Sequence, residues 1–315
     1  MAKFRLIRST WVAEGVLGLD FAASDPANTS SVELPAWTPG AHLTLRLGNG
    51  IARDYSLCGD PADRTRYTVA VQRDAASRGG SGYVHEQLRV GEVIDVDGPK
   101  NNFALEDASS YVLVAGGIGI TPIRAMAREL AGRGANWRLL YCGRTRDRMA
   151  FAAELAAKHR QNVTVHVDEE AGQPADLAAY LAAAPADALV YCCGPEPLLD
   201  GVAMALNDNN RLRIERFRAA AATAAPGDEA AFEVVCSAGR FTVEPATSIL
   251  RTLIDAGLDI PFSCEEGICG TCETDVLSGQ PDHRDSLLSE EEKAAGKTML
   301  LCVSRCRTPE LVLDL

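Results

Sequence analysis

Apolar and polar residues alternate through much of the first hundred residues, which is the pattern of strands with one buried face. Residues 42–47 alternate strictly, residues 67–71 repeat the pattern, and residues 93–96 form a shorter apolar run. Clusters of Gly, Asn, Asp and Pro separate these runs, at Pro39-Gly40, Gly48-Asn49-Gly50 and Gly59-Asp60-Pro61. Short strands divided by turn signals at this spacing predict a closed antiparallel β-barrel.

From about residue 110 the apolar residues form continuous runs instead, as expected of parallel strands that are buried on both faces. Five such runs follow one another, at residues 111–115, 137–142, 163–167, 188–193 and 212–217. Helical patterns lie between them, at residues 122–131, 149–158, 176–183 and 197–206. This alternation predicts a doubly wound α/β domain.

A third region follows an alanine-rich segment, residues 219–229, which we interpret as a linker because Pro226-Gly227-Asp228 would end a helix there. Residues 232–236 and 240–243 predict a β-hairpin around a turn of small residues, and a helix with one apolar face then ends at Gly257. The predicted boundaries are a barrel over 1–107, an α/β domain over 108–218, the linker over 219–229 and a C-terminal domain over 230–315.

The composition is that of a globular protein, with 47% hydrophobic and 23% charged residues among 315. A wholly disordered chain is excluded, and no run approaches the roughly 20 apolar residues that a membrane span needs. Residues 1–10 have no apolar core after their basic residues, so we expect no signal peptide. The cysteines do not resemble a secreted disulfide framework, so we expect a cytoplasmic protein.

The net charge of −12 is concentrated near the C-terminus. The last 90 residues carry 7 basic and 17 acidic side chains and therefore −10 of this charge. Such a region repels nucleic acid and anionic lipid, so we expect neither a nucleic-acid nor a membrane partner. The acidity either steers a basic protein partner or only keeps the domain soluble, and charge alone does not separate these two interpretations.

The strongest motif is a set of cysteines with the spacing C-x4-C-x2-C and a remote fourth member, which is the plant-type [2Fe–2S] arrangement. Thiolates suit iron because they are soft and strongly donating, and Gly267 and Gly270 allow the loop to fold tightly around a compact cluster. The predicted iron ligands are Cys264, Cys269, Cys272 and Cys302.

Two alternatives to this assignment exist. Structural zinc usually draws its ligands from two C-x2–4-C pairs, whereas this loop offers three cysteines and the remote partner is single. Cys306 lies four residues after Cys302 and is a second candidate for the fourth ligand. We favour Cys302, which follows three apolar residues, and expect Cys306 to have no ligand role.

A glycine-rich turn follows the first parallel strand, at residues 115–122. Gly116, Gly117 and Gly119 would let the backbone approach a pyrophosphate closely, while Thr121 can cap the next helix and Pro122 suits its first position. The turn departs from the dinucleotide-binding G-x-G-x-x-G spacing, so we predict a nucleotide site of another kind. A purely structural strand-to-helix turn is the alternative.

Two further segments lie where ligands bind in such sheets, at the carboxyl ends of strands. Arg144 and Arg146 stand where an acidic ribose-binding residue would be expected after the second parallel strand. Cys193, Gly194 and Pro195 end the fourth parallel strand and are candidates for contact with a nicotinamide ring.

These segments, in this order, resemble the phthalate dioxygenase reductase and vanillate O-demethylase reductase family of the ferredoxin–NADP⁺ reductase superfamily over essentially the whole chain. The resemblance rests on residues 53–57 (RDYSL), 79–81 (GGS), 115–122 (AGGIGITP), 191–195 (YCCGP), 282–285 (DHRD), 310–315 (ELVLDL) and the cysteine set. It implies a multidomain fold: an antiparallel β-barrel flavin domain, a doubly wound α/β nucleotide domain and a β-grasp ferredoxin domain.

The resemblance also implies a flavin site. The family's R-x-Y-S motif binds flavin, which assigns Arg53, Tyr55 and Ser56 to it, and in members with FMN the flavin phosphate is lined by a segment that corresponds here to Gly79, Gly80 and Ser81. Without the other motifs, Tyr55 would be interpreted as a barrel core residue. The barrel offers no second adenosine site, so we expect FMN rather than FAD.

Phe217 matches the aromatic residue that covers the flavin in this family, and a buried strand aromatic is the alternative. The resemblance favours NADH over NADPH as the electron donor. Arg144 and Arg146 weaken that preference because an arginine near the adenosine ribose can hold a 2′-phosphate.

The implied function is that of an oxygenase reductase, which passes electrons from NADH through FMN and a [2Fe–2S] cluster to a Rieske-type aromatic oxygenase or O-demethylase. No side chain is expected to act as acid, base or nucleophile, because the cofactors carry the chemistry. A reductase for a cytochrome P450 and a non-catalytic electron-transfer subunit of a larger flavoenzyme are the alternatives. We expect a monomer whose acidic ferredoxin domain docks the oxygenase, with Glu265, Glu266, Asp282 and Asp285 as candidate steering acids.

Overall fold

The structure is a computed structural model that describes residues 2–24, 33–75, 77–206, 208–218 and 230–315. The chain divides into two compact units, residues 1–216 and residues 217–315. The predicted linker, residues 219–229, lies outside the described residues. Within the described part of the chain, no helix is both long and apolar enough to cross a membrane.

The first unit begins with six antiparallel strands and one short helix. They are β1 (Ala2–Ala13), β2 (Val16–Ala23), β3 (Ala41–Arg46), β4 (Ala52–Ser56), β5 (Tyr67–Gln72), α1 (Gly80–Glu86) and β6 (Val93–Asn101). The strand order is β4-β3-β6-β1-β2-β5. A bridge between Leu57 and Val69 joins the two edge strands, and the amide of Cys58 donates to the carbonyl of Thr68 over 2.9 Å. The predicted barrel is therefore confirmed.

The first two strands of the barrel carry no clear alternation in the sequence. Bulges between Leu6 and Arg8 and between Trp11 and Ala13 shift the register of β1 against β2. Each bulge moves the following side chains to the other face of the sheet, so a strict period of two is lost. The barrel core still receives Leu6 from β1 and Phe21 from β2, both fully buried.

The rest of the first unit is a parallel sheet with helices between its strands. The strands are β7 (Ser110–Gly116), β8 (Asn136–Gly143), β9 (Val163–Val167), β10 (Leu189–Cys193) and β11 (Leu212–Glu215). The helices are α2 (Ile120–Gly132), α3 (Ala152–Lys158), α4 (Asp168–Ala171), α5 (Leu177–Ala182) and α6 (Glu196–Ala205). The order β11-β10-β7-β8-β9, with every pair parallel, confirms the doubly wound prediction.

Among the element boundaries of this domain that differ from the prediction, two concern a phenylalanine. The helix expected from residue 149 begins only at Ala152, because Phe151 adopts a left-handed backbone with φ of 62°. The ring of Phe151 lies under the guanidinium of Arg124, 4.3 Å from the ring centroid, which holds this side chain in place. The last strand ends at Glu215, so Phe217 is not a strand residue.

The second unit is a mixed sheet with a helix packed on it. Its elements are β12 (Phe232–Cys236), β13 (Gly239–Val243), α7 (Ile249–Asp255), β14 (Glu273–Ser278), β15 (Pro281–Asp282), α8 (Glu290–Ala295), β16 (Thr298–Leu300), β17 (Arg305–Cys306) and β18 (Glu310–Leu313). The sheet order is β13-β12-β18-β14-β16, and β12 runs parallel to β18 while its other neighbour is antiparallel. This is the β-grasp arrangement that the resemblance implies.

The position of α7 follows from its sequence. The hydroxyl of Ser248 caps the helix by accepting a hydrogen bond from the amide of Arg251 over 3.2 Å. Ile249, Leu250 and Leu253 are fully buried against the sheet, and Gly257 follows the helix with a left-handed φ of 90°. The helix therefore places Arg251 beside the cysteine loop that follows it.

Candidate functional site

The glycine-rich turn packs directly against the end of β10. A Cβ on Gly119 would lie 2.2 Å from the carbonyl oxygen of Cys193, and one on Gly116 would lie 2.7 Å from Cδ of Pro195. These two glycines are therefore required for close contact between two strand ends. Gly117 is different, since its φ is +53° and no described atom lies within 4 Å of an added Cβ. It is the glycine of the three that faces open space at the carboxyl edge of the sheet.

The prediction that Thr121 caps the following helix is wrong. The residues Gly117–Gly119 form a 3₁₀ turn that runs straight into α2, so the helix begins at Ile120. Thr121 is its second residue and donates its hydroxyl to the carbonyl of Ile118 over 3.0 Å. Pro122 is then the third residue rather than the first.

The residues of the R-x-Y-S motif lie on β4, and the barrel brings them next to the start of α1. A Cβ on Gly80 would lie only 2.7 Å from Cγ of Arg53, so the glycine allows this side chain to cross the helix start. Tyr55 is largely buried, and burial raises the pKa of its phenol to about 12. The structure thus places Arg53 and Gly80, 27 residues apart in sequence, in one site.

A serine that the sequence analysis did not single out organises this loop. The hydroxyl oxygen of Ser77 accepts hydrogen bonds from the amides of Gly79 and Gly82, at 3.2 and 3.3 Å. The hydroxyl of Ser81 donates to Ser77 over 3.1 Å and accepts from the amide of Asp74 over 3.2 Å. The hydroxyl of Ser81 is therefore part of the loop's internal network.

The most perturbed acid of the first unit is Glu215, at the carboxyl end of β11. Burial raises the pKa of this carboxyl to about 8, and the charge of Asp54 adds to the effect. Ser56 donates to its Oε2 over 3.3 Å, and the thiol of Cys193 lies 3.9 Å from the same oxygen. Burial also raises the pKa of Cys193 well above its ordinary value, so both groups are protonated at neutral pH.

Glu215 therefore connects the end of the R-x-Y-S motif on the barrel to the end of β10 on the parallel sheet. The sequence analysis assigned no role to this residue. The only signal that could have found it is its place, since an acidic side chain ends the last parallel strand of a buried sheet.

The two arginines after β8 are not equivalent. Arg146 donates to both carboxylate oxygens of Glu170, at 2.7 and 2.6 Å. Arg144 is exposed, and none of the ion pairs among the described residues involves it. Of the two, the guanidinium of Arg144 is the one not held by an acidic side chain of the described chain.

Phe217 is the first residue of the second unit, and its side chain is 38% exposed. Because it is not buried in the sheet, the alternative of a core strand aromatic is not supported. Its position over a flavin stays a prediction.

The four predicted iron ligands are buried and lie together. Cys264 is within hydrogen-bonding distance of Cys269 and Cys302, and these contacts lower the pKa of its thiol. Cys272 is likewise close to Cys302, which lowers the pKa of Cys272. The amide of Glu266 donates to Sγ of Cys264 over 3.3 Å. A compact set of four soft sulfur donors with backbone amides around it fits a [2Fe–2S] cluster.

The glycines of the cysteine loop have the conformations that the motif requires. Gly267 and Gly270 have φ of 69° and 73°, in the left-handed region. A Cβ on Gly267 would also lie 2.6 Å from Cγ2 of Val303, next to the remote ligand. Tight packing between the cysteine loop and the segment that carries Cys302 therefore depends on glycine at position 267.

Cys306 makes other contacts. It lies on β17, with Sγ 3.0 Å from Oγ1 of Thr308 and 3.4 Å from the carbonyl oxygen of Gln280. These contacts fit the expectation that it has no ligand role.

Three of the four candidate steering acids are paired or buried. Glu265 is paired with Arg251 over 2.6 Å, and Asp282 is paired with Arg284 and Arg307. Asp285 is buried, with Oδ2 accepting from the amides of Leu287 and Leu288, and this burial excludes it as a steering group.

Comparison with known proteins assigns one family to the parallel-sheet region and another to the unit that carries the four cysteines. The family described as "2Fe-2S iron-sulfur cluster binding domain" matches residues 234–307, and the "oxidoreductase NAD-binding domain" family matches residues 113–204. The tetrachlorobenzoquinone reductase of Sphingobium chlorophenolicum is 48% identical over 294 residues, which cover 90% of each chain. The phthalate dioxygenase reductase of Burkholderia cepacia is 37% identical over 100% of this chain and 95% of its own length. The chain belongs to the phthalate dioxygenase reductase family.

Solved structures agree with the membership of this family. A phthalate dioxygenase reductase structure superposes with a TM-score of 0.73 at 37% identity, covering 99% of this chain and 97% of that one. An intact type IV self-sufficient cytochrome P450 monooxygenase gives a TM-score of 0.89 at 39% identity over 100% of this chain. This chain spans only 41% of the P450 polypeptide, which contains further parts.

The cofactors of this reductase are FMN, NADH and a [2Fe–2S] cluster. The groups described above fit them: four clustered sulfurs for the cluster, the open Gly117 at the carboxyl edge for the nucleotide, and the Arg53 side chain packed against Gly80 at the start of α1 for the flavin phosphate.

Proposed function

We propose that this chain is the reductase component of a two-component oxygenase system, which oxidises NADH and delivers the electrons singly to a Rieske-type aromatic oxygenase or O-demethylase. FMN, when bound, supplies the conversion of a two-electron hydride donor into the one-electron supply that a [2Fe–2S] cluster accepts. The observation that carries the proposal is the meeting of Ser56, Cys193 and Glu215 within 3.9 Å. It joins the candidate flavin edge to the candidate nicotinamide site in one unit.

The residues assigned to NADH lie along the carboxyl edge of the parallel sheet. Gly116, Gly117 and Gly119 with Thr121 shape the turn that receives the pyrophosphate, and Gly117 supplies the approach because it alone faces open space. Cys193, Gly194 and Pro195 contact the nicotinamide, and Arg144 lies towards the adenosine ribose.

The residues assigned to FMN lie on β4 and at the start of α1. Tyr55 packs on the ring system, while Arg53 with Gly79, Gly80 and Ser81 binds the phosphate. Phe217, which matches the aromatic residue that covers the flavin in this family, would have the same role here. In this assignment residues 1–107 form the FMN domain, 108–218 the NADH domain, and 230–315 the cluster domain.

The carboxyl of Glu215 has a supporting role between these sites. Burial raises its pKa to about 8, so the carboxyl is largely protonated at neutral pH, while its Oε2 accepts the hydrogen bond from Ser56 and lies 3.9 Å from the thiol of Cys193. A neutral group there keeps a negative charge away from the approaching hydride donor.

The oxygenase component docks near the cysteine loop, because electron transfer falls steeply with distance and must leave from the cluster edge. The reductase acts as a monomer in this scheme, and the absence of disulfides among its ten cysteines, all of which lie in the described chain, suits a reducing cytoplasm.

The direct test is purification followed by cofactor extraction and reconstitution with a Rieske-type oxygenase. We expect one FMN and one [2Fe–2S] cluster per chain, and NADH-dependent turnover that requires both proteins. Release of FAD, or zinc in place of iron, would contradict the proposal.

A cytochrome P450 is a second candidate partner, because a solved P450 monooxygenase contains a region with this fold at 39% identity. Parallel assays with a Rieske-type oxygenase and a P450 at equal concentration separate the two partners. Faster reduction of the P450 would favour the second candidate.

Docking by charge is tested with ionic strength. Reduction of the oxygenase should slow as salt rises, while reduction of the flavin by NADH changes little, since exposed charges are screened over about 8–10 Å. Glu266→Lys should slow the partner step and retain the cluster. Glu291→Lys, the same charge change on α8 instead of the cysteine loop, is the matched control. A partner step that is insensitive to salt, with Glu266→Lys as silent as the control, would leave the acidity as a solubility feature.

A further inference from the structure

The second residue of the cysteine loop has an unfavourable backbone conformation. Glu265 follows the first iron ligand and has φ of 57°, in the left-handed region that residues with a Cβ disfavour. Residues are kept in such conformations only when surrounding contacts hold them there, and they concentrate at functional sites. The contacts that hold Glu265 therefore bear on the geometry of the cluster site.

Those contacts come from one side chain on α7. Arg251 donates its Nε to Oε2 of Glu265 over 2.9 Å and its Nη2 to Oε1 and Oε2 over 2.6 Å each. The guanidinium also lies 5.3 Å from the centroid of the Phe262 ring. The backbone of Arg251 is fixed at the helix start, because its amide is bonded to the cap residue Ser248. The planar guanidinium of Arg251, on a helix with a capped N-terminus, thus holds the carboxylate of Glu265 in place.

The backbone turn at Glu265 aims the next amide at a ligand. The amide of Glu266 donates to Sγ of Cys264 over 3.3 Å. Hydrogen bonds to ligand sulfurs raise the reduction potential of an iron–sulfur cluster, since they stabilise the more negative reduced form. A residue that maintains this turn therefore affects the cluster without touching it.

We propose that Arg251 is a positioning residue for the [2Fe–2S] cluster: it clamps Glu265 in the left-handed conformation that directs the amide of Glu266 at Cys264. The proposal rests on the assignment of the four cysteines to the cluster. A second effect runs in the same direction, because the guanidinium neutralises a carboxylate beside the cluster.

The decisive test separates position from charge with two double variants of the full chain. R251Q/E265G and R251Q/E265A remove the same two charges, but only glycine adopts the left-handed conformation freely. The measurements are the reduction potential of the cluster, by redox titration followed with EPR, and the rate of cluster loss to a chelator. We expect R251Q/E265G to match the parent in both. We expect R251Q/E265A to have a lower potential and to lose its cluster about tenfold faster.

The single variants and a control complete the set. R251Q should lower the potential, and E265G alone should not. R240Q removes an arginine that pairs with Glu310 over 2.6 Å in the same domain, away from the loop, and should leave the potential unchanged. Identical potentials and loss rates for the two double variants would overturn the proposal. A parent protein without iron would instead refute the cluster assignment, which separates the two failures.

Discussion

Replacement of Glu215 by glutamine should make the first unit more stable at alkaline pH. The parent residue is half-buried, and desolvation of its carboxyl raises the pKa from 4.5 to about 8. Below pH 4.5 it is protonated in both the folded and the unfolded chain, and its contribution to stability is fully present. As pH rises, the unfolded chain loses this proton first, so stability falls until the folded carboxyl ionises near pH 8.

The size of the effect follows from the width of this window. Each pH unit between the two pKa values is worth about 1.4 kcal/mol of unfolding free energy. The whole window from 4.5 to about 8 therefore corresponds to roughly 5 kcal/mol, an upper limit because water that enters beside Oε2 lowers it. Glutamine keeps the shape of the side chain and stays neutral, so the unfolding free energy of Glu215→Gln should not fall in this way as pH rises.

The assay is chemical unfolding of the full holoprotein between pH 5 and 8.5, followed by release of the flavin, which reports on the first unit. The parent and Glu215→Gln should be similar near pH 5 and should diverge progressively, with the variant more stable at pH 8. Glu170→Gln is the control, since that glutamate lies at the surface beside Arg146 and has a lowered pKa. Parallel curves for parent and Glu215→Gln across this range would refute the protonated-carboxyl account.

Further predictions concern the two ends of the electron route. Cys272→Ser should leave NADH-dependent reduction of the flavin intact but abolish electron delivery to a one-electron protein acceptor. An unchanged rate of acceptor reduction in stopped-flow would show that electrons do not pass through the cluster. NADH should be preferred to NADPH, and Arg144→Gln should lower the residual kcat/KM for NADPH and keep that for NADH; a roughly tenfold NADPH preference in the parent would contradict this. Gly119→Ala should abolish NADH binding or folding because its Cβ would lie 2.2 Å from the carbonyl oxygen of Cys193. Gly117→Ala meets no described atom and should cost only about 1 kcal/mol in thermal unfolding.

The sequence predicts the second half of the fold better than its beginning. Continuous apolar runs identify the interior strands β7 and β10, because burial on both faces leaves no other pattern, whereas the edge strands β9 and β11 are only partly buried and keep some polar positions. The strands β1 and β2 are not predicted, because two bulges interrupt the alternation of apolar and polar residues on which strand prediction depends. The cysteine spacing identifies the cluster site because one loop supplies three of its four ligands.

The missed features depend on three-dimensional geometry that residue spacing does not encode. Glu215 becomes a protonated group because the fold desolvates its carboxyl, and this effect outweighs the hydrogen bonds from the barrel residue Ser56 and the sheet residue Cys193, which lower the pKa. Thr121 fails as a cap because the preceding glycines form a 3₁₀ turn that moves the helix start. The clamp of Arg251 on Glu265 depends on backbone geometry that no spacing rule encodes.

An anaerobic titration of the purified reductase with NADH, followed by absorbance and EPR, tests the central claim most directly. The account predicts that the chain takes up about three electrons, two at the flavin and one at the cluster, with bleaching of the flavin and the EPR signal of a reduced [2Fe–2S] cluster. Uptake that stops at two electrons, with the flavin bleached and no EPR signal from the cluster even at excess NADH, would contradict an electron route through the four cysteines.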